Sequence, residues 1–367
     1  MSTNPTNIYS HSFLMQLALN QAKRGLGLTK ENPSVGCVLV KNGEIISLAH
    51  TSNGGRPHAE INAIKFAKDN IKDSNLYVTL EPCSHYGKTP PCVYKIINKK
   101  IKKVFFSIKD PDLRTFNKSY KILKTNKILI ATGHLSKITK NFYRSYIKSK
   151  TKTLPFVTCK IAISKDSYLI NKNTKWITNI FSRKRVHLMR ANHDCILTSS
   201  STIINDNPFL TCRIDGLLKY SPTRIILDNY LKTSINSNVY SNTKKFKTII
   251  FYNKTNNKKV NEFKKQGVKL YKVPLDKNGN LNLKEVLIKA KKLMFYRIFL
   301  ESGLKLVNNF LTLKLVDDLE IFNSNKKLKN NGKDNIKKIL LKFTKGKTKK
   351  IVKVNLFGES LISFKLK

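Results

Sequence analysis

His58, Glu60, Cys83 and Cys92 are the residues of this chain whose types and spacing could do chemistry together. One imidazole and two thiolates are three good zinc ligands, and three protein ligands leave a fourth position open, the arrangement of a catalytic rather than a structural site. Zinc lowers the pKa of a bound water towards about 7. Glu60 stands two positions after His58 at the start of a helical pattern, so it can lie over that water without ligating the metal. There it can take a proton and return it. Both cysteines belong to "EPCSHYGKTPPC", residues 81–92, with eight residues between them. On its own this stretch is open to three readings: a metal site, a disulfide loop or two unrelated thiols. Pro82 before Cys83 suits entry to a helix, whose N-terminus favours a thiolate.

His-x-Glu followed by Pro-Cys-x-x-Cys is the general pattern of zinc deaminases. This chain matches the first part and departs in the second, with eight residues where two are usual. The conjunction of "HAE", a strand ending in "TLEPC" and a second cysteine favours the metal reading.

The elements that must position these side chains follow from periodicity. Residues 12–24 carry Phe13, Leu14, Leu17, Ala18 and Ala22 at helical spacing. "NPSVGCVLVKNGEIISLAH" reads as two strands joined at Asn42-Gly43, a hairpin signal. "HAEINAIKFAKDN" is a second helix with Ile61, Ile64 and Ala67 on one side. "NLYVTL", the helical "CVYKIINKK" and "IKKVFFSIKD" continue a strand–helix alternation, which indicates α/β layers. A basic, polar linker is expected around 147–154. Beyond it, strands near "VTCKIAI", "HDCILTSS", "TRIILD", "KTIIFY" and "YRIFLES", with helices at about 179–191 and 284–293, predict a second α/β domain. No internal repeat is visible, and the lysine–asparagine tracts at 253–265 and 323–350 read as solvated loops.

Composition bounds the partners. At 367 residues and 40% hydrophobic content, two domains with real cores are expected. No run of about 18 apolar residues exists, and the first residues lack a basic region followed by an apolar run, so a soluble, cytoplasmic protein without a membrane partner is expected. The six cysteines are then expected as reduced thiols, with Cys37, Cys159 and Cys195 as small buried hydrophobes in apolar runs. The net charge of +48 would usually suggest nucleic acid. Here lysine is spread over the whole length beside abundant asparagine and isoleucine, all three having AT-rich codons. Codon drift accounts for that bias, and no arginine–aromatic patch of the kind that reads bases is present.

"ENPSVGCVLV", "HAE" and "EPCSHYGKTPPC" together resemble the deaminase half of the bifunctional riboflavin-biosynthesis deaminase/reductase family. The eight-residue Cys–Cys loop, with its Ser-His pair, Gly, basic residue and Thr-Pro-Pro-Cys, is similar to that family's. The resemblance implies that His85 and Lys88 sit over the substrate, a phosphorylated ribosylaminopyrimidine, and that Asn32 contacts its base. One departure stands at Asn117-Lys118-Ser119, where the family has a Gly-basic-Gly turn.

"CKIAISKDS", "KWIT", "RANHDCILTSSSTIINDNPFLTCR", "RIILD" and "RIFLESG" resemble the reductase half of the same family. Without the family, this half reads only as an α/β domain, since no Gly-x-Gly-x-x-Gly opens a βαβ unit. The resemblance implies NADPH as cofactor, with Ala162, Trp176, Thr202, Asp206 and Gly303 as cofactor contacts. Lys160, Thr174, Arg190, Arg213 and Glu301 resemble substrate contacts, and Asp206 could serve either partner. Departures fall on loops: Ser167 replaces a family Gly, Leu304 follows Gly303, and "NSNKKLKNNG" replaces the usual strand end. The implied fold is a cytidine-deaminase-like three-layer α/β/α domain over 1–147, followed by a dihydrofolate-reductase-like α/β domain over 155–367. The implied function is zinc-dependent deamination followed by NADPH-dependent reduction, with a homo-oligomer formed through the reductase half. Two alternatives remain: a deaminase whose second half is only structural, and a deaminase that binds nucleic acid.

Overall fold

The computed structural model describes residues 9–67 and 71–367. The chain forms two compact units that divide between Lys152 and Thr153.

In the first unit, helix α1 (His11–Arg24) starts at Ser10, whose hydroxyl accepts the Phe13 N–H, and buries Leu14, Met15, Ala18, Leu19 and Ala22. Phe13 turns outward and stacks on Tyr9, because Leu14 and Met15 take the inner face expected of it. Strands β1 (Gly36–Lys41) and β2 (Glu44–His50) form a hairpin. Its turn places Asn42 and Gly43 at φ 51° and 84°, the left-handed pair that a two-residue hairpin demands. There follow α2 (Ala59–Phe66), β3 (Asn75–Leu80), α3 (Cys92–Asn98), β4 (Lys103–Ile108), α4 (Lys118–Thr125), β5 (Leu129–Thr132), α5 (Ser136–Phe142) and α6 (Arg144–Thr151). The second helix was expected to run to residue 70; positions 68–70 lie outside the described residues.

The sheet order is β2-β1-β3-β4-β5, with β1 antiparallel to both neighbours and β3, β4 and β5 parallel. Alternation along the strands sorts side chains to two faces. Cys37, Leu39, Val78, Val104 and Phe106 join Ala59 and Ala63 of α2 and Val93 and Ile96 of α3. Val38, Val40, Tyr77 and Phe105 meet Leu14, Met15 and Ala18 of α1. Two cores on one sheet make three layers. Gly36 lets α1 close on β1, since a Cβ there would stand 1.8 Å from the Ala18 carbonyl oxygen. The stretch 147–154, expected as a linker, is helical as far as Thr151.

The second unit contains β6 (Phe156–Ile163), β7 (Tyr168–Asn171), α7 (Ile180–Ala191), β8 (Cys195–Ser199), α8 (Ser200–Asp206), β9 (Thr223–Leu227), β10 (Thr248–Tyr252), α9 (Asn257–Lys265), β11 (Lys269–Lys272), α10 (Leu283–Lys292), β12 (Arg297–Leu300), α11 (Leu304–Thr312), β13 (Asp318–Asn323), β14 (Gly332–Asn335), α12 (Lys337–Thr344), β15 (Thr348–Ile351) and β16 (Ser360–Lys365). Its main sheet runs β11-β10-β9-β8-β12-β6-β13-β16-β15, and β7 pairs with β14 in a separate ribbon. From β11 to β13 all pairings are parallel, whereas β16 is antiparallel to β13 and β15. Parallel strands covered on both faces explain the near-continuous apolar runs that made them legible.

Both lysine–asparagine tracts differ from the expected loops. Residues 257–265 form α9, anchored by buried Phe263, and 323–350 supplies β14, α12 and the start of β15. Lysine is a good helix former, and one or two apolar anchors suffice once a packed neighbour is present; composition alone hid them. All six cysteines are free, with Cys37, Cys159 and Cys195 buried. Among the described residues no helix is long and apolar enough to cross a membrane.

Candidate functional site

In the first unit, three element ends bring the expected ligands together. His58 is the N-cap of α2, Cys83 lies just past the end of β3, and Cys92 is the first residue of α3, behind Pro91. The helix thus begins at Cys92 rather than beside Cys83, and the Cys92 N–H donates to Cys83 Sγ at 3.2 Å. The helix N-terminus still favours a thiolate at Cys83, through that N–H. His58 Nδ1 stands 3.5 Å from Cys83 Sγ and 3.3 Å from Cys92 Sγ, and all three ligand atoms lie within 4.8 Å of one another. Zinc bonds of about 2.0 Å to nitrogen and about 2.3 Å to sulfur, at tetrahedral angles, put the two donors about 3.5 Å apart. The donor set fits a zinc ion in type and spacing.

Glu60 sits in the first turn of α2, 3% exposed, with its Oε2 buried and lacking a hydrogen-bond partner. Such an orphan oxygen is costly unless something at the site uses it. Burial pushes its carboxyl up to about 7, a value suited to a group that both takes and returns protons. Cys83 moves the other way, to about 4, because the Cys92 thiol and the His58 ring stabilise its thiolate.

Glu81, a hub that the sequence reading missed, shapes the loop beside the metal ligands. Its carboxylate accepts the N–H groups of Asp110 and Asn117 at 3.2 and 3.1 Å, and that of Tyr120 at 3.4 Å. The adjacency of Glu81 to the Pro82-Cys83 pair was its only signal. Ser119 donates to the Pro82 carbonyl. Asn117 adopts φ 59°, while Ser119 lies in the first turn of α4; the departure from two glycines therefore needs only the asparagine to be left-handed, which that residue tolerates. His85 Nδ1 is 3.0 Å from Thr115 Oγ1, tying the Cys–Cys loop to the 110–120 loop. Lys88 is exposed on the same loop, and Arg56 bonds Thr89 across its mouth. Asn32 donates to the Gly55 carbonyl at 3.0 Å, bracing the segment that leads into His58.

In the second unit, four of the expected substrate residues converge. Arg190, on α7, grips Glu301 at the end of β12 through Nε at 2.9 Å and Nη2 at 3.0 Å, and its Nη1 donates to the Thr211 carbonyl at 2.9 Å. Lys160 Nζ approaches Glu301 Oε1 at 3.8 Å. Against the cost of burial, Arg190 and Lys160 hold the Glu301 carboxyl down at about 2. Burial lowers the pKa of Lys160, and burial together with Arg190 lowers that of Arg213. His187, one turn before Arg190, was not foreseen; its Nδ1 accepts the Arg213 N–H at 3.1 Å. Its spacing of three from Arg190 on a helix was the available signal. Thr174 belongs instead to an exposed turn, where it bonds Asn171 and the Trp176 carbonyl.

Of the expected cofactor residues, Ala162, Thr202, Asp206 and Gly303 belong to β6, to α8 after β8 and to the segment after β12, while Trp176 lies between β7 and α7. Thr202 shares hydroxyl contacts with Ser302 at 3.2 Å, and Ser199 with Ser302 at 2.9 Å. Gly303 caps α11, with no atom within 4 Å of where a Cβ would stand, so the surface beside its backbone is open. Trp176 is half-exposed, with the Arg183 guanidinium 4.8 Å from its ring centre. Ala162 is half-buried on β6, and burial raises the carboxyl of Asp206 at the end of α8. Open backbone and hydroxyls at the carboxyl ends of the parallel strands β8 and β12, with a half-exposed aromatic on the segment after β7, fit a dinucleotide such as NADPH. Ser167 keeps the left-handed backbone of the glycine it replaces, at φ 71°, and Leu304 begins α11 without disturbing Gly303.

Comparison with known proteins identifies the family of each unit. Residues 8–108 match the cytidine and deoxycytidylate deaminase zinc-binding region, and residues 155–328 match the RibD C-terminal domain. The riboflavin biosynthesis protein RibD of Aquifex aeolicus is 34% identical over 310 residues, covering 84% of this chain and 85% of that one. Among solved structures, Acinetobacter baumannii RibD superposes with a TM-score of 0.82 at 26% identity, covering 96% of this chain and 98% of that one. The Thermotoga maritima diaminohydroxyphosphoribosylaminopyrimidine deaminase/5-amino-6-(5-phosphoribosylamino)uracil reductase gives 0.81 at 29% identity, with the same coverage. With relatives this similar over most of its length, the chain belongs to the RibD family of bifunctional riboflavin-biosynthesis enzymes.

Proposed function

We propose that the first unit hydrolytically removes the 2-amino group of 2,5-diamino-6-ribosylamino-4(3H)-pyrimidinone 5′-phosphate, and that the second reduces the ribosyl group of the product to ribityl. The observation that carries this reading is the His58–Cys83–Cys92 triad, with its three donor atoms within 4.8 Å, beside the unpartnered Oε2 of Glu60. His58, Cys83 and Cys92 would hold a zinc ion, which would supply a water activated at neutral pH. Glu60 would take a proton from water and deliver it to the departing amine, so that water is consumed and ammonia released. His85, placed by Thr115, and Asn32 face the pyrimidine, while Lys88 on the exposed loop meets the anionic end of the substrate.

In the second unit NADPH supplies the hydride. Glu301 binds ribose hydroxyls, held in place by the fork of Arg190. Arg190 is thereby committed to orienting Glu301, and Arg213 is the cation left to meet the sugar phosphate. Lys160 lies beside the reacting carbon, and Thr174 borders the substrate from its turn. Trp176, Thr202, Asp206, Gly303 and Ala162 line the cofactor. The substrate is a small molecule rather than a nucleic acid, the protein works in the cytoplasm, and copies associate through the reductase unit; these three statements rest on the family resemblance.

The test supplies purified protein with the diaminopyrimidine phosphate and NADPH and follows ammonia release and NADPH oxidation separately. Both signals are expected, in that order. Ammonia without oxidation would leave a deaminase with a non-catalytic second unit.

A further inference from the structure

The chain beyond residue 328 lies outside the matched reductase family region, yet it is bonded to the segment that carries Trp176. Upstream of that tryptophan, Asp166 accepts the N–H groups of Leu328 and Lys329, and β14 pairs with β7. Downstream, the turn at 356–359 meets the start of α7. Glu359 accepts the Asn179 N–H at 2.9 Å through Oε1 and the Ser182 hydroxyl through Oε2. Asn179 in turn donates through Nδ2 to the Leu356 carbonyl at 2.7 Å. Phe357 stacks on Phe181 with ring centres 3.8 Å apart.

That turn is strained. Gly358 at φ 84° is at ease in the left-handed region, but Phe357 at φ 51° is not. A bulky residue stays there only where its surroundings over-determine it, and here the Phe181 stack and the Glu359 bonds do so. The element so held is α7. It carries Arg183 against the Trp176 ring and Arg190 against Glu301.

We propose that the C-terminal turn 356–359 is a clamp that holds the Trp176–Arg183 corner in its cofactor-binding position, with Glu359 as its positioning residue. This rests on the reductase reading of the second unit, since Trp176 is taken to face NADPH. Glu359 touches neither substrate nor cofactor; it holds the N-cap of α7 from outside, accepting the N–H of Asn179, whose own side chain caps the Ser182 N–H.

Trp176 is the one tryptophan of the chain, so its fluorescence reports the corner without any ligand. The experiment compares full-length wild type with Glu359→Ala, Glu359→Gln and Phe357→Ala. It measures acrylamide quenching of Trp176, then KM for NADPH, kcat of reduction and ammonia release. Glu359→Ala is expected to increase quenching clearly and to raise KM for NADPH about tenfold, the effect of losing hydrogen bonds to a charged acceptor that hold the N-cap of α7. Its kcat and ammonia release are expected to change little. Glu359→Gln is expected to restore near-wild-type values, because its amide oxygen still accepts from Asn179 and its amide nitrogen can donate to Ser182. Phe357→Ala is expected to fall between them. Unchanged quenching and KM in Glu359→Ala, or a lowered kcat at unchanged KM, would overturn the clamp. If Glu359→Ala does not fold, unchanged quenching and KM in Phe357→Ala overturns it instead. Increased quenching in variants of a wild type that neither binds nor oxidises NADPH supports the clamp and overturns the reductase reading.

Discussion

The two sites solve the same problem at different ranges along the chain. In the first unit the farthest pair of ligands, His58 and Cys92, is separated by 34 positions, and each stands at the end of an element adjoining one sheet. In the second unit, the fork of Arg190 on Glu301 spans 111 positions, and Lys160 reaches the same carboxylate from a third element. The nearby set would be neutralised by a bound zinc ion, whereas in the distant set the one carboxylate is held by ion pairs with two cations. The first site should therefore fail by losing its metal while the fold survives. The second should fail by losing stability, because a charge stripped of its partner is left in a largely buried place.

The largest effect expected is chemical. Removing zinc, or Cys83→Ser, should abolish ammonia release and leave NADPH oxidation of supplied deaminated substrate intact; metal content per chain, read by atomic emission, checks the cause. Glu60→Gln should keep one zinc per chain yet lower ammonia release by about a thousandfold, the loss of a proton shuttle. Retained activity in that variant would remove Glu60 from the mechanism.

Glu301→Ala should behave differently, destabilising the second unit by about 3 kcal/mol in urea unfolding monitored at Trp176, because Arg190 and Lys160 lose their counter-charge. The same carboxyl makes stability pH-dependent. Its folded pKa, about 2, lies below the usual carboxylate value, so its contribution is complete above about pH 5 and is lost as pH falls towards 2. Glu301→Gln should flatten that part of the acid limb for the second unit and leave the first unchanged. A first-unit transition that moves equally would break the separation of the two units.

The smallest effect expected concerns Ser167. A left-handed serine costs about 1 kcal/mol relative to glycine, so Ser167→Gly should raise the unfolding midpoint of the second unit by about 2–4 °C. A lowered midpoint would mean that the Ser167 side chain makes a contact worth more than the strain.

Much of this molecule was legible from its residues. The apolar runs "GCVLVK" and "NLYVTL" read as strands, Asn42-Gly43 gave the hairpin, and the strands of the second unit were legible too. The zinc triad was legible because chemistry restricts ligand types so tightly that three residues identify a site. The role of Glu81 was not legible, because one carboxylate taking three backbone N–H groups looks in sequence like any other glutamate. Nor was the C-terminal region: lysine and asparagine masked the few apolar anchors of α9 and α12, and a left-handed Phe357 contradicts its own propensity.

By itself the sequence determined the ligand set, the two-domain α/β architecture and the family, since these depend on residue type, period and motif. Tertiary structure alone decided that Arg190 is spent on Glu301, that Asn117 rather than Ser119 takes the left-handed position, and that the end of the chain grips α7. Each of those outcomes depends on which distant partner satisfies a buried charge or an unpaired backbone group, and that partner is fixed by packing rather than by neighbours along the chain.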